Sequence, residues 1–431
     1  MNVAIAGYGI EGKANVAYWQ QKGDQVTILD EKELSDVPQG VTVVTGKAAF
    51  DNLGEYDMVI RTASLRPDRL VSARKAWSST NEFFAVCPAP IIGVTGTKGK
   101  GTTASLITSI LRSAGTTVHL VGNIGIAALD VLPTIQPTDV VVFEMSSFQL
   151  WDLEKSPQVA VVLMVEPDHL DVHTDMNDYL DAKSQIAAAQ DVVDVVVYHS
   201  TNELSRRIAM HGEGKKVRYG VADDGGVYVE SNTFCVQTQR ICSTDVLQIP
   251  GAHNVENVCA AITAALAYDP SLSFEAITSG LKSFTGLPHR LKFIRELDGV
   301  QYYDDNYSSA PGAATAAIRS FTQPEVLIMG GHDKGIEFGE LAIAIKGQTN
   351  IKRIILIGQT QQKIAAALDT HGLQGAYEMS SETELAPIVK RAHELAEPGD
   401  VVIMSPGCAS FDMFKNFSDR GDQFIQLVEG L

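Results

Sequence analysis

The sequence predicts an α/β fold in which parallel sheets are covered by helices on both faces. Short runs rich in β-branched residues alternate with helix-length amphipathic segments, a pattern typical of βαβ units. The clearest runs are VAIAG at 3–7, VTILD at 26–30, IIGVTG at 91–96, VVVFEM at 140–145, VLIMGG at 326–331 and VVIMSPG at 401–407. Because crossover helices join such runs, we expect the strands to be parallel and their polar ends to share one edge of a sheet.

The chain is long enough for several domains. With 431 residues, it exceeds one ordinary core, and two or three domains of about 100–200 residues are expected. A proline-containing segment at 87–90 is typical of a linker, and a second break falls at 286–290. We predict a Rossmann-like N-terminal domain at 1–87, a central P-loop ATPase-like domain with a parallel sheet at 88–286 and a Rossmann-like C-terminal domain at 287–431.

Charge and composition exclude several classes of protein. The net charge of −18 argues against a general binder of nucleic acid or membrane surfaces, because such proteins carry a broad excess of Lys and Arg. The apolar runs are far below the ~18 residues needed to cross a bilayer, so we expect a cytoplasmic protein. Five cysteines without a C-x-x-C pair indicate reduced thiols, not a disulfide framework or a zinc site.

A first glycine loop spans 7–12, between the run VAIA and a helical stretch. Glycines at this point let the backbone approach a diphosphate at a helix N-terminus, and Asp30, at the end of the next run, can accept from a ribose or a base. Taken alone, the loop favours a nicotinamide or flavin cofactor. A UDP-sugar and a purely structural turn are the alternatives.

A second glycine loop spans 96–103, between the run IIGVTG and a helical stretch. Its backbone N–H groups predict a polyphosphate site, in which Lys100 neutralises the β and γ oxygens. The loop differs from the usual P-loop because Gly101 stands where Ser or Thr normally reaches Mg²⁺. Thr102 is the next hydroxyl in line, and a surface turn is the alternative.

Three further residues have the chemistry of a metal site. Glu144 ends an apolar run, where a carboxylate next to a phosphate loop suits Mg²⁺, although it could instead cap a helix. His169 follows another run, and a lone loop histidine is usually only solvated. Lys183 by itself is typical of an exposed helical residue.

The loop at 96–103 resembles the Mur ligase family, whose G-T-x-G-K-[ST]-[ST] string it matches except at Gly101. Further matches follow in the family's order: GNIG at 122–125, FEMSSFQL at 143–150, DHLD at 168–171, DYLDAK at 178–183, GAHNVEN at 251–257, LPHR at 287–290, GGHDKG at 330–335 and SPGCASFDMFKNF at 405–417. The last string looks like that of members that add D-glutamate. The resemblance covers nearly the whole chain and is most specific in the centre and at the C-terminus.

The resemblance implies a role for each matched residue. The implied ATP-binding residues are Gly96, Thr97, Lys98, Gly99, Lys100, Gly101, Thr102, Thr103, Asn254, Asn257, Arg290 and Asp305. Those expected at a UDP-linked substrate are Gly7, Gly9, Ile10, Gly12, Asp30, Asn123, Ser146 and Gln149. Those expected at the amino acid are Lys334, Ser410 and Phe417. The implied catalytic residues are Lys100, Glu144, His169 and Lys183, and the implied ligands of two Mg²⁺ ions are Thr102, Glu144, His169 and a carbamylated Lys183.

Two departures from the family pattern concern substrate contacts. The family's D-S-K-A-T-N string aligns with 305–310, where Tyr307 replaces the lysine and Ala310 the final asparagine. In the N-terminal domain, T-A-S-L at 62–65 stands where S-P-G-I is usual. The first departure bears on the amino-acid side chain and the second on the uridine.

The resemblance implies an ATP-dependent acid–amino-acid ligase that adds D-glutamate to UDP-N-acetylmuramoyl-L-alanine through an acyl phosphate, in peptidoglycan precursor synthesis. A monomer without nucleic-acid or membrane partners is expected, with hinge closure of the C-terminal domain. A Mur or folylpolyglutamate-type ligase with another amino acid or acceptor is the nearest alternative. A nicotinamide oxidoreductase built on 7–12 and a non-catalytic nucleotide-binding protein are the others.

Overall fold

A computed structural model describes residues 1–124, 126–222 and 225–431. The chain divides into two compact units, one comprising 1–246 with 255–283 and the other 247–254 with 284–431. Gly125, the last residue of the GNIG string, lies outside the described residues. In the described part of the chain, no helix combines the length and apolar character that a membrane crossing requires.

The first unit begins with a five-stranded parallel sheet in the order β3-β2-β1-β4-β5. Its strands are β1 Asn2–Ala6, β2 Gln25–Asp30, β3 Thr42–Thr45, β4 Met58–Arg61 and β5 Ala76–Ser78. Its helices are α1 Ile10–Gln21 and α2 Ser79–Val86. The inner strands β1 and β4 are almost fully buried, as the central strands of a parallel sheet covered on both faces should be.

A six-stranded sheet follows in the order β11-β10-β9-β6-β8-β7, and all its pairings are parallel. The strands are β6 Ile91–Thr95, β7 Val118–Gly122, β8 Val140–Glu144, β9 Val159–Val162, β10 Val195–His199 and β11 Lys215–Tyr219. The helices are α3 Lys100–Ser113, α4 Ala128–Val131, α5 Ser147–Leu150, α6 Met176–Ala188, α7 Glu203–Ala209, α8 Ala252–Tyr268 and α9 Phe274–Ser283. An antiparallel three-stranded sheet comprises β12 Val227–Glu230, β13 Thr233–Val236 and β14 Gln239–Ser243.

The second unit contains a six-stranded sheet in the order β15-β16-β20-β17-β18-β19. The strands are β15 Lys292–Leu297, β16 Val300–Asp304, β17 Glu325–Gly330, β18 Ile351–Ile357, β19 Tyr377–Met379 and β20 Val401–Met404. The helices are α10 Pro311–Ile318, α11 Gly339–Lys346, α12 Gln361–Thr370, α13 Leu385–Leu395 and α14 Phe417–Glu429. Only the β15–β16 pairing is antiparallel.

This sheet separates two apolar cores. Along β20, Val401 and Ile403 pack into one core, and Val402 and Met404 into the other. The alternation follows from the two-residue period of a strand that helices cover on both faces. The predicted α/β class is therefore confirmed, while the domain boundaries at 87/88 and 286/287 stay a prediction.

Candidate active site

The phosphate loop lies at the carboxyl end of β6, a strand in the interior of the central sheet. Gly96 and Gly99 have φ angles of +147° and +82°, values that residues with a Cβ rarely adopt. Gly99 also leaves space for another predicted residue, because a Cβ there would stand 2.3 Å from the Asn257 Oδ1 atom. Helix α3 begins at Lys100, so its N-terminal N–H groups face the loop.

Two lysines converge on one carbonyl of this loop. The Lys100 Nζ atom donates to the backbone oxygens of Gly96, at 3.1 Å, and Thr97, at 2.9 Å. The Lys183 Nζ atom, from helix α6, donates to the same Gly96 oxygen at 2.9 Å and to the Thr95 hydroxyl at 3.3 Å. The structure therefore brings together two of the predicted catalytic residues, 83 positions apart in the sequence (183 − 100).

Lys183 is buried, with 1% of its surface exposed, so the interpretation of this residue as an exposed helical lysine is wrong. Burial, followed by repulsion from the charge of Lys100, lowers the pKa of Lys183 well below its usual value. A larger share of the side chain is then the neutral amine near pH 7. That form has a free lone pair, whereas the ammonium has none.

The other ATP-loop predictions lie around the same loop. Thr103 is buried and contacts the Asn257 Oδ1 atom at 3.4 Å. Thr97 is buried and bonds the Glu166 carbonyl at 3.0 Å, whereas Lys98 is exposed and forms an ion pair with the Glu166 carboxylate. The remaining residues of the loop are Gly101, which is buried, and Thr102, which is half-buried.

Glu144 ends strand β8 and is buried. Its Oε1 atom accepts from the Asn123 amide at 3.1 Å, so two predicted residues from neighbouring strand ends meet here. A Cβ on Gly122, whose φ is +102°, would stand 2.3 Å from the Glu144 carbonyl oxygen, which explains the glycine. The alternative that Glu144 caps a helix is wrong, because Ser146 is the N-cap of α5.

His169 has a φ of +53°, and its ring contacts Phe148 at 5.0 Å between centroids. Its nearest carboxylate is that of Asp168, at 3.6 Å. Among the described residues, it makes no hydrogen bond to Glu144 or Lys183, and no group of three or more His, Cys, Asp or Glu side chains is arranged to hold a metal ion. A carbamate on Lys183 would add an anionic oxygen donor to the carboxylate of Glu144, and oxygen donors of this kind are the ligands that Mg²⁺ prefers.

The N-terminal glycine loop is closely packed. A Cβ on Gly7, whose φ is +95°, would stand 2.3 Å from the Thr62 hydroxyl, and one on Gly12 would stand 2.2 Å from the Gly7 carbonyl oxygen. The Tyr8 N–H donates to Asp30 at 2.8 Å, so one oxygen of that carboxylate fixes the loop. Gly9 is the N-cap of α1, and Ile10, which opens that helix, is exposed.

Glu11 is a residue of this loop that the sequence analysis missed. Its carboxylate accepts from the Gln149 side-chain amide at 2.7 Å and from the Ala63 N–H at 2.9 Å. It therefore joins the glycine loop to helix α5, which carries the predicted acceptor-site residues. Ser146 and Gln149 also form a capping box, which the S-x-x-Q spacing could have indicated.

In the second unit, the loop at 287–291 is fixed to the end of β16. The His289 Nδ1 atom lies 2.7 Å from the Asp304 carboxylate, and this hydrogen bond raises the pKa of His289 despite burial. The Leu291 N–H donates to Asp305 at 3.1 Å. Burial raises the pKa of Asp305 to about 7, against hydrogen bonds such as that from the Ser405 hydroxyl at 2.6 Å.

The predicted amino-acid residues follow two strands of the same unit, β17 and β20. Ser410 is buried, and its carbonyl oxygen accepts from the Phe414 N–H at 2.9 Å. Lys334 is exposed, with its Nζ atom 5.7 Å from the centroid of the Phe411 ring. Phe417 opens helix α14 and is also exposed. Lys334 lies in the loop after β17, Ser410 in the loop after β20 and Phe417 at the start of α14. Among the described residues, no hydrogen bond or ring contact joins these three side chains.

Two further residues of this unit, Asn254 and Arg420, make hydrogen bonds to its loops. The Asn254 Nδ2 atom donates to the Pro250 carbonyl at 2.6 Å, at the start of α8. Arg420, a residue without a predicted role, is fully buried and donates to the Asn306 side chain at 2.6 Å and to the Cys408 carbonyl at 3.2 Å. It therefore ties the end of β16 to the loop that carries Ser410.

Comparisons with known proteins identify the family. The model of the Mur ligase middle domain matches residues 94–265, and that of the Mur ligase glutamate ligase domain matches 289–408. Two relatives over the full chain are the UDP-N-acetylmuramoylalanine–D-glutamate ligases of Clostridium perfringens, 35% identical with 97% of that enzyme covered, and Acetivibrio thermocellus, 36% identical with 96% covered. The chain belongs to the Mur ligase family of ATP-dependent ligases that form amide bonds.

Solved structures agree on the fold. MurF from Acinetobacter baumannii has a TM-score of 0.65 and 19% identity, with 99% of this chain and 90% of that one covered. MurF from Thermotoga maritima, solved in complex with ADP, has a TM-score of 0.61 and 16% identity, with 99% and 94% covered. At these identities the likeness concerns the fold alone.

Proposed function

We propose that the protein adds D-glutamate to UDP-N-acetylmuramoyl-L-alanine at the expense of ATP. The observation that carries the proposal is the convergence of Lys100 and Lys183 on the phosphate loop, in a chain whose full length matches D-glutamate ligases at 35–36% identity. The cytoplasmic location and the monomeric state expected from the sequence remain predictions.

ATP would bind with its phosphates against the N-terminus of α3. The loop N–H groups and Lys100 would contact the β and γ oxygens and offset the charge that develops on the transferring phosphoryl group. Lys100 now donates to two loop carbonyls, contacts that an incoming phosphate oxygen can replace. Asn257, seated against Gly99, and Asn254 offer amide groups suited to a purine edge.

The proposed Mg²⁺ ligands are Thr102, Glu144, His169 and a carbamylated Lys183. The Lys183 amine would attack CO₂, forming an N–C bond and losing one proton, so that a neutral amine becomes an anion with two oxygen donors. The lowered pKa of Lys183 favours this reaction because only the neutral amine is a nucleophile. When bound, Mg²⁺ would neutralise phosphate charge and orient the γ-phosphoryl group.

The reaction proposed has two bond exchanges. An oxygen of the alanyl carboxylate bonds to the γ-phosphorus, and the bond to the ADP leaving oxygen breaks. The amine of D-glutamate then attacks the acyl carbon, the C–O bond to phosphate breaks, and one proton leaves the nitrogen. Inorganic phosphate departs with one oxygen from the original carboxylate.

The acceptor and the amino acid would occupy separate loops. The UDP diphosphate is assigned to the glycine loop at 7–12, at the N-terminus of α1. The acceptor side is assigned to Asn123, Ser146 and Gln149. The α-carboxylate of D-glutamate is assigned to Lys334, and its side chain to the loops that carry Ser410 and Phe417.

A release assay tests the proposal. ADP formation is measured with UDP-N-acetylmuramoyl-L-alanine and each of D-Glu, L-Glu, L-Ala and L-Lys. We expect ADP release that requires the acceptor and is fastest with D-Glu. Equal or faster release with another amino acid would contradict the proposed specificity, and ADP release without any acceptor would contradict a ligase.

A further inference from the structure

The loop that carries Arg290 has a strained backbone. The residues on either side of Arg290 both have positive φ angles, +58° at His289 and +43° at Leu291, and neither is a glycine. Such angles are unfavourable for residues with a Cβ and persist only where surrounding contacts enforce them. The direction in which Arg290 points is therefore set by whatever holds this loop.

The residues at 304–307 hold it. The Tyr307 N–H donates to the His289 carbonyl at 2.8 Å, and the Leu291 N–H donates to the Asp305 carboxylate at 3.1 Å. The contact between His289 and Asp304 adds a buried, charge-assisted hydrogen bond. Both strained residues thus have a partner in one short segment.

Tyr307 then holds the arginine side chain itself. The guanidinium carbon of Arg290 lies 3.8 Å from the centroid of the Tyr307 ring, within the range of a cation–π contact. Stacking occupies the face of the guanidinium, while its N–H donors point outward in its plane, where phosphate oxygens bind. In the described part of the chain, this guanidinium makes no ion pair with a carboxylate, so these donors are available for an anion.

The same ring contacts the amino-acid side. The rings of Tyr307 and Phe417 are 5.2 Å apart and nearly perpendicular, at 82°. Tyr307 is 46% exposed and Phe417 is 37% exposed. Each side chain therefore retains conformational entropy that is lost when a ligand orders it. Arg290 contacts Tyr307, and Tyr307 contacts Phe417; we call these three side chains the aromatic bridge.

We propose that Tyr307 is a positioning residue that couples nucleotide binding at Arg290 to amino-acid binding at Phe417. The inference rests on the proposed function, which assigns Phe417 to the amino acid, and on the role at ATP that the family resemblance implies for Arg290. A phosphate bound in the plane of Arg290 fixes the guanidinium over the ring, and the ring then restricts Phe417. The first ligand already restricts the side chains of the aromatic bridge. The second ligand then loses less conformational entropy and binds more tightly than it would alone.

Binding experiments with the full-length protein test this directly. The Kd of the non-hydrolysable ATP analogue AMP-PNP is measured by calorimetry, with and without saturating D-glutamate, in the wild type and in Tyr307→Ala, Tyr307→Phe and Tyr307→Lys. We expect D-glutamate to lower the wild-type Kd about two- to fivefold, the range of an exposed cation–π contact. Tyr307→Phe keeps the effect, Tyr307→Ala loses it, and Tyr307→Lys also weakens AMP-PNP alone through repulsion of Arg290.

Tyr228→Ala, on the three-stranded sheet of the other unit, is the matched control and should behave as the wild type. Unchanged coupling in Tyr307→Ala, or equal loss of coupling in Tyr307→Phe, would overturn the bridge. The Kd of AMP-PNP for Tyr307→Lys is also measured without any amino acid, so its value does not depend on the proposed amino-acid specificity. Failure of the ligase assay would therefore reject the proposed function, while an unweakened Kd in Tyr307→Lys would reject the contact between Tyr307 and Arg290.

Discussion

The two cationic side chains expected at ATP, Lys100 and Arg290, are held by different means. On the central phosphate loop, Lys100 donates to the backbone carbonyls of Gly96 and Thr97. In the second unit, Arg290 is half-buried and rests on the ring of Tyr307. A contact to the backbone depends less on neighbouring side chains than a contact to an aromatic ring does. Substitutions that spare Lys100 should therefore affect its position little, whereas substitutions of Tyr307 should act through Arg290.

The largest effect is expected from Lys100→Ala. Removing a charge that acts on the transferring phosphoryl group should lower kcat by roughly 10³-fold or more, the size of comparable electrostatic losses. The affinity for UDP-N-acetylmuramoyl-L-alanine should stay within severalfold of the wild type, as calorimetry can check. Lys155→Ala, an equal charge change at an exposed position, is the control. Retained turnover in Lys100→Ala would remove the phosphate loop from the mechanism.

Lys183→Met should cost somewhat less, by about 10²–10³-fold in kcat, because the apolar replacement fills the space but cannot become a carbamate. The wild type should lose activity when CO₂ is stripped and regain it with bicarbonate. Labelling with ¹³C-bicarbonate should give a carbamate NMR signal in the wild type and none in Lys183→Met. A wild type indifferent to CO₂ and without the signal would contradict the carbamate.

Glu11→Ala tests the link between the glycine loop and helix α5. Loss of two charge-assisted hydrogen bonds, to Gln149 and Ala63, should raise KM for the UDP-linked substrate about tenfold, at about 1.4 kcal/mol. KM for ATP should not change. The KM of Glu11→Gln, which keeps one acceptor oxygen, should lie between those of the wild type and Glu11→Ala. A lower KM in Glu11→Ala would mean that repulsion between Glu11 and the diphosphate outweighs its positioning role.

The smallest effect concerns stability alone. Glu325 lies at the start of β17, and burial raises its pKa to about 8 although Asn350 donates to it at 2.8 Å. Because the folded pKa exceeds the unfolded value, the group favours folding at low pH, and this contribution is lost as pH rises from about 4.5 through 8. Glu325→Gln should thus raise Tm by a few degrees at pH 8 and change it little at pH 5, with unaltered kcat. A pH-independent difference would contradict this.

The fold and the strongest site motifs were predictable because they are local. A strand, a glycine loop and a helix follow one another directly at 91–113, and the structure has them in that order. The burial of Lys183 also left a local signal: Tyr179, Lys183 and Ile186 recur at helical spacing and are all buried. The prediction of an exposed lysine failed because residue type was weighed above periodicity.

Other features could not be predicted because they join distant segments. Glu11 meets Gln149 138 positions away, and only the tertiary structure of the first unit brings them together. By contrast, the contact between Arg290 and Tyr307 follows from a hairpin. Strands β15 and β16 pair antiparallel, with Lys292 opposite Asp304, so the loop before β15 adjoins the carboxyl end of β16.

The most direct test of the ligase chemistry follows one oxygen atom. UDP-N-acetylmuramoyl-L-alanine labelled with ¹⁸O at both oxygens of its alanyl carboxylate is converted with ATP and D-glutamate, and the phosphate and the peptide product are analysed by mass spectrometry. Attack of that carboxylate on ATP predicts one ¹⁸O in each phosphate released, together with a product heavier by one glutamate less one water. Unlabelled phosphate, or no such product, would contradict the account.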